Sequence, residues 1–230
     1  MSREVAKHIG LIGGIGPAAT DFYHRGLIER HAASNIPLDL TIAYADVRVM
    51  SRNLNEKRPD RQAEIFARLI GRLKAAGAAA AAVTSMGGHF CIKELEAISP
   101  LPMINGLDPV NEAINRRNLR KVGIIGTRTV MESKLYGKVT RAEVIAPEGD
   151  ELDRVHQCYI DMAGSGHVND QQRQTFFAAG RRLTRERGAE AVMLGGTDLF
   201  LAFIGHDCGF PLVDCADIHV GAIYKKSSAA

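Results

Sequence analysis

Short apolar runs alternate along this chain with glycine turns and amphipathic stretches, and the order occurs twice. In "KHIGLIGGIGPAATDFYHRGLIERH" the apolar positions Ile9, Leu11 and Ile12 predict a strand, followed by a glycine turn and a helix opened by Pro17. Proline suits a first helical position because the N–H it lacks would find no partner there. In "RKVGIIGTRTVMESKLYGKVTRA" the same sequence of events recurs: Val122, Ile124 and Ile125 form the strand, Gly126 and Thr127 the turn, and Met131 onward a helix. Later segments are matched as well. "LKAAGAAAAAVTSMGG" and "LTRERGAEAVMLGGTD" each read as a helix end, a capping glycine, a strand buried on both faces and a polar turn.

Spacing supports the pairing. Gly77 to Ser85 and Gly188 to Gly196 are both 8 residues, and Gly10 to Ser85 is 75 against 73 from Gly123 to Gly196. The remaining runs fill in two similar halves. "LDLTIAYADV" and "RAEVIAPEG" are second strands, while "RQAEIFARLIGRLKAAG", with Ile65, Leu69 and Leu73 on one face, and "QQRQTFFAAGRRLTRERG" are helices. "ISPLPMINGLDPVNEAINRR" supplies a short strand, a turn and a helix, and "CGFPLVDCADIHVGAIY" repeats that passage, as a return that completes the first sheet. Alternating strands and helices imply parallel sheets covered on both faces. The fold class is therefore α/β, with two similar domains related by a pseudo-twofold axis. Residues 1–105 with 210–230 form the first and residues 106–209 the second. Ligands of such sheets bind beyond the carboxyl ends of the strands, so a cleft between the turns at Ser85 and Gly196 is expected.

Composition narrows the function. An apolar content of 46% and a charged content of 24% are those of an ordinary globular protein, and the net charge of +3 is carried by scattered basic residues. No nucleic-acid stripe is apparent. No apolar run reaches the ~20 residues of a membrane span. The start "MSREVAK" has no long apolar leader, so a cytoplasmic protein is expected. The four cysteines, Cys91, Cys158, Cys208 and Cys215, form neither a CxxC pair nor a zinc pattern, so reduced thiols and no metal are expected.

Candidate chemistry collects at the turns. "GGIGPAAT" is a loose relative of the dinucleotide fingerprint, better read as a strand-to-helix turn whose amides suit a carboxylate. Thr127, Thr129 and Thr197 offer hydroxyls that serve equally as helix caps. Asp198 follows a buried strand and can act as a base, orient a histidine, or cap. His89 and His219 are candidate proton carriers or packed histidines. Arg48 and Arg52 follow the second strand, where a guanidinium could grip a carboxylate in a two-pronged contact.

Together, "GLIGGIGPAATDFY", "GIIGTRTVMESKLY", "VMLGGTDL" and "FPLVDCADIH" resemble the aspartate/glutamate racemase family over nearly the whole chain. The resemblance implies two flavodoxin-like domains with parallel sheets, a small carboxylate ligand held by amides and hydroxyls, a homodimer, and catalysis without pyridoxal phosphate or metal. It also implies two cysteines, one per half, working on opposite faces of an α-carbon. Those positions fall on Ser85, four residues before His89, and on Gly196, between Gly195 and Thr197. Serine is a poor base unless another group activates it, and glycine has no side chain, so a two-thiol reaction is excluded. The expected catalytic groups are therefore Ser85, His89, Thr197 and Asp198. The expected ligand contacts are Gly14, Gly87, Gly88, Thr127, Gly196, Cys215 and, on a second carboxylate, Arg48. Cys215 is also a candidate acid or base. An isomerase with a non-standard site is the first reading; a one-sided proton-transfer lyase and an inactive carboxylate-binding protein are the alternatives.

Overall fold

The computed structural model describes residues 6–229; the start of the chain, where no leader is expected, lies mostly outside them. Two compact units divide the chain, one running to Asn105 and resuming at His219, the other Gly106–Ile218. The first contains β1 (Ile9–Gly13), α1 (Pro17–Ala33), β2 (Leu40–Tyr44), α2 (Val47–Asn55), α3 (Pro59–Ala75), β3 (Ala80–Val83), a 3-10 turn (Gly87–Cys91) and α4 (Ile92–Ile98). Its sheet is parallel, in the order β2-β1-β3. Every residue of β1 and β3 is buried, as a sheet covered on both faces requires. Pro17 does open α1, and α3 buries Phe66, Leu69, Ile70 and Leu73, with Ile65 at the margin of that stripe. Gly77, with φ +98°, ends α3 in the left-handed conformation that side chains disfavour.

The second unit contains α5 (Leu107–Arg116), β4 (Lys121–Ile125), α6 (Arg128–Glu132), β5 (Glu143–Ile145), α7 (Gly149–Ser165), α8 (Asp170–Arg185), β6 (Ala191–Leu194), a 3-10 turn (Thr197–Leu199), α9 (Phe200–Phe203) and β7 (Leu212–Asp214). α10 (Cys215–Ser228) begins in this unit and continues into the first. The sheet is parallel, in the order β5-β4-β6-β7. Phe176, Phe177 and Leu183 of α8 pack with Val155, Tyr159 and Met162 of α7 in its core.

Three expectations are corrected here. The strand in "FPLVDCADIH" does not complete the first sheet: β7 pairs with β6, and the second unit accordingly extends to Ile218 rather than residue 209. The corresponding place beside β3 is held by the Pro102–Ile104 segment. There Ala81 N–H donates to Pro102 O and Ile104 N–H to Ala81 O, giving a single parallel bridge at Met103 in place of the expected strand. Pro102 has no N–H with which to lengthen that ladder. The helix expected from Met131 onward stops at Glu132, because Lys134, Leu135 and Tyr136 all take positive φ, and the Ser133 hydroxyl and carbonyl accept from the Tyr136 and Gly137 amides.

Candidate functional site

The carboxyl end of β3 builds a tight polar cluster in the first unit. Thr84 continues the sheet, donating both its N–H and its hydroxyl to Ile12 O at 3.0 and 2.9 Å. Ser85 turns the chain, and its hydroxyl oxygen accepts the Gly88 N–H at 3.2 Å, pinning the 3-10 turn. His89, 1% exposed, donates Nδ1–H to the Ser85 carbonyl at 2.7 Å, which leaves Nε2 as the basic nitrogen. The histidine thus meets the serine's carbonyl, not its hydroxyl, and the two make no nucleophile–base pair.

His219 stands edge-on to His89, with ring centroids 5.3 Å apart. Its Nε2–H donates to Ile104 O at 2.8 Å, so its Nδ1 accepts the Tyr23 hydroxyl at 2.9 Å. The role expected of His219 resolves in favour of a packed histidine: it is fully buried. Burial, with His89 beside it, pushes its pKa down to about 3. The unfolded chain protonates this ring near pH 6.5 while the folded protein keeps it neutral, so stability is full above 6.5 and falls as pH drops toward 3. Between pH 6.5 and 4.5 the loss from this group should be about 2–3 kcal/mol. Denaturant unfolding at the two pH values measures it, and His219→Gln should flatten the acid limb; an unchanged limb would assign the acid sensitivity elsewhere.

In the second unit, β6 ends at Leu194, Gly195 N–H donates to Ile125 O at 2.8 Å, and Thr197, Asp198 and Leu199 form the 3-10 turn. Thr197 and Asp198 are buried, at 2% and 4% exposure. Tyr159 reaches them from α7, donating its hydroxyl to Asp198 Oδ2 at 3.0 Å. Burial, and then the charge of Asp198, hold the Tyr159 phenol protonated well above its ordinary range. Gly196 is required here by space: a Cβ on it would lie 2.2 Å from a Tyr159 ring carbon. One turn earlier on α7, His156 Nδ1 accepts the Arg128 N–H at 3.1 Å. Burial and Arg128 lower its pKa. Arg128 also pairs with Asp153 and Glu132, so α7 supports the turns after both β4 and β6.

Several expected ligand groups are engaged within the protein. Gly14, at φ +86°, gives its amide to Thr20 Oγ1 at 2.9 Å rather than presenting it outward. The Gly88 amide is on Ser85, while Gly87 opens the 3-10 turn. Thr127 caps the five-residue α6, its Oγ1 accepting from Val130 N–H at 3.4 Å. Asp46 caps α2 and grips Arg48 through both oxygens, at 3.1 and 2.7 Å, so the expected carboxylate clamp already holds a carboxylate. That contact keeps Asp46 down at about 2. Cys215 is wholly buried, its thiol directed to Val213 O at 3.8 Å and held protonated by desolvation, which removes it as a base. Cys91 is likewise buried and pushed up to about 12. Among the described residues no group of three or more His, Cys, Asp or Glu side chains is arranged to hold a metal ion, and no helix is long and apolar enough to cross a membrane.

What sequence reading missed is α7. Tyr159 and His156 lie three apart, one turn of helix, and so share a face. The vacancy at Gly196 gave the one hint that another side chain must occupy that space.

Residues 12–223 match the sequence model of the Asp/Glu/hydantoin racemase family. Among solved structures, an aspartate racemase homologue from Pyrococcus horikoshii OT3 superposes with a TM-score of 0.78 at 26% identity, covering 97% of this chain and 100% of that one. An aspartate racemase from Picrophilus torridus gives 0.74 at 17% identity, covering 96% and 94%. A glutamate racemase from Francisella tularensis subsp. tularensis SCHU S4, solved with D-glutamate, gives 0.66 at 15% identity, covering 96% and 80%. The last two share the fold.

Proposed function

The chain belongs to the Asp/Glu/hydantoin racemase family, and from that premise we propose that it moves a proton at the α-carbon of a small amino acid or related carboxylate, using groups other than a pair of thiols. The observation that carries this reading is the buried Asp198–Tyr159 pair at the carboxyl end of β6. An α-proton is weakly acidic, so its base must be close, shielded from water and backed by fixed donors. A buried carboxylate that accepts from a phenol is shielded from water and backed by a fixed donor, and the Thr127 hydroxyl adds a donor for the developing negative charge. His89 is the proton carrier of the first unit, acting through Nε2, with Ser85 holding its ring. No cofactor is required in this scheme, and a cytoplasmic homodimer accompanies it.

Incubation with both enantiomers of acidic and small neutral amino acids in deuterium oxide tests the reading, with mass spectrometry for α-deuterium and chiral chromatography for configuration. Deuterium uptake with inversion is the expected result. Uptake with retention favours the one-sided lyase-type reading, for which there is one specific support: the Ser85 hydroxyl accepts from Gly88 and the His89 Nδ1–H is committed to a carbonyl, so the first unit is the less equipped. Thermal stabilisation by such ligands without any exchange would leave a binding protein in place of an enzyme.

A further inference from the structure

β2 stands at one edge of the first sheet, paired with β1 along its whole length, and among the described residues no strand pairs with its other side. The register fixes which backbone groups are already used. Ile9 N–H donates to Asp39 O and Ala45 N–H to Gly13 O, so Thr41 and Ala43 turn their peptide groups to β1, while Leu40, Ile42 and Tyr44 turn theirs outward. The side chains of those three residues also share one face of the sheet. It is the α1 face, since a Cβ on Gly13 would meet both Thr20 and Ile42. Ile42 is 41% and Tyr44 72% exposed. The strand Leu-Thr-Ile-Ala-Tyr has no charge, proline or bulge, the devices that keep an open edge from pairing.

We propose that this edge is the contact surface of a homodimer: β2 of a second copy runs antiparallel beside it and joins the two first sheets into one. A twofold axis at Ile42 sets this residue against its own counterpart and Leu40 against Tyr44, so every outward N–H meets an outward carbonyl. The other edges of the chain point to a second copy as the occupant. The opposite edge of the first sheet is the Pro102–Ile104 segment, where Pro102 has no N–H to give. β5 and β7, at the edges of the second sheet, are three residues each, and Leu212 O of β7 is already taken by Arg117. The best match for β2 within this sequence is therefore β2 itself, and pairing about a twofold axis closes at two chains instead of growing. Side chains agree with this arrangement. An axis perpendicular to the sheet keeps Leu40, Ile42 and Tyr44 of both copies on one face, where they cover each other. Charge selects the direction. Exposed Asp39 precedes β2, while Arg48 and Arg52 against Asp46 leave the far end net positive. Antiparallel strands bring these opposite ends together, whereas parallel ones would set Asp39 against Asp39.

This surface rests on the homodimer of the proposed function and is independent of its α-carbon chemistry. Sedimentation of the full chain at micromolar concentration measures the assembly, and amide hydrogen exchange resolved by residue locates it. A mass of two chains is expected, with the Ile42 and Tyr44 amides protected like those of Thr41 and Ala43, which face β1. Ile42→Lys sets like charges across the axis and should weaken the dimer at least about a hundredfold. Its Tyr44 amide should then exchange fast while Thr41 and Ala43 stay protected, which shows that the sheet itself is intact. Ile42→Pro removes only an outward N–H and should give the same separation, so the test does not depend on one variant folding. A wild-type monomer would overturn the surface and the homodimer together, leaving the edge to a strand of another protein. A dimer whose Ile42 and Tyr44 amides exchange fast, or one that survives both substitutions, would overturn the surface alone. Neither outcome bears on deuterium uptake at the α-carbon, which is read separately.

Discussion

Gly196→Ala should lower the melting temperature by about 10 °C, equivalent to about 3–4 kcal/mol at the 2–4 °C per kcal/mol typical of chains this size. The added methyl would sit 2.2 Å from a ring carbon of Tyr159, and that ring has nowhere to retreat. It is buried in one core cluster with Val155, Met162 and Phe176, and shifting it breaks the bond to Asp198, itself a buried polar group. A comparison within the same unit separates geometry from context. A Cβ on Gly180 would meet the Phe210 ring even more closely, at 2.1 Å, but Phe210 is only half-buried and can swing outward, so Gly180→Ala should cost clearly less. Combining Gly196→Ala with Tyr159→Val should recover part of the loss, as residues in direct contact do not add independently. Chemical unfolding of the three variants, with Tyr159→Val alone as the reference for the combination, reads this directly. A Gly196→Ala protein within about 1 kcal/mol of the wild type would show that the ring yields where the packing says it is fixed.

Asp198→Asn should reduce α-deuterium exchange by at least about a hundredfold, the lower end of what positioned proton transfer contributes. The substitution is nearly isosteric, and the asparagine carbonyl can still accept the Tyr159 hydroxyl, so the fold should hold while the proton-accepting oxygen disappears. Circular dichroism and the unfolding midpoint check the first half of that statement, and exchange kinetics the second. Undiminished exchange in a folded variant would move the base elsewhere, with His89 the next residue to change.

The two-unit architecture was legible in the sequence because its determinants are local. Buried strands such as Ile9–Gly13 and Lys121–Ile125 carry their apolar runs beside turn glycines, and Gly77 marks a helix end by its conformation alone. Sheet membership of β7 was not legible. A short apolar strand looks the same at the open edge of either sheet, and only long-range pairing, here Val192 with Leu212 and Leu194 with Asp214, decides between them. The candidate site divides along the same line. Ser85, His89, Thr197 and Asp198 sit at strand ends and could be read from the turns that hold them. Arg48 could not be judged, since what occupies it is Asp46, two residues away, acting as a cap and a counter-charge together. Tyr159 lay beyond reach because it arrives 39 positions before Asp198 and meets it only once α7 docks on the 3-10 turn after β6.

The return of the chain to its first unit at His219 bears on the order of biosynthesis. Gly106–Ile218 forms an uninterrupted insertion that can fold as soon as it leaves the ribosome, whereas the unit begun earlier must wait for the last part of α10. The His219 imidazole, which backs His89 and accepts the Tyr23 hydroxyl, is delivered only after that insertion. Until it arrives, β1, β2 and β3 have their ladder but lack the ring that packs edge-on to His89, so strands made before the insertion belong to a unit completed after it.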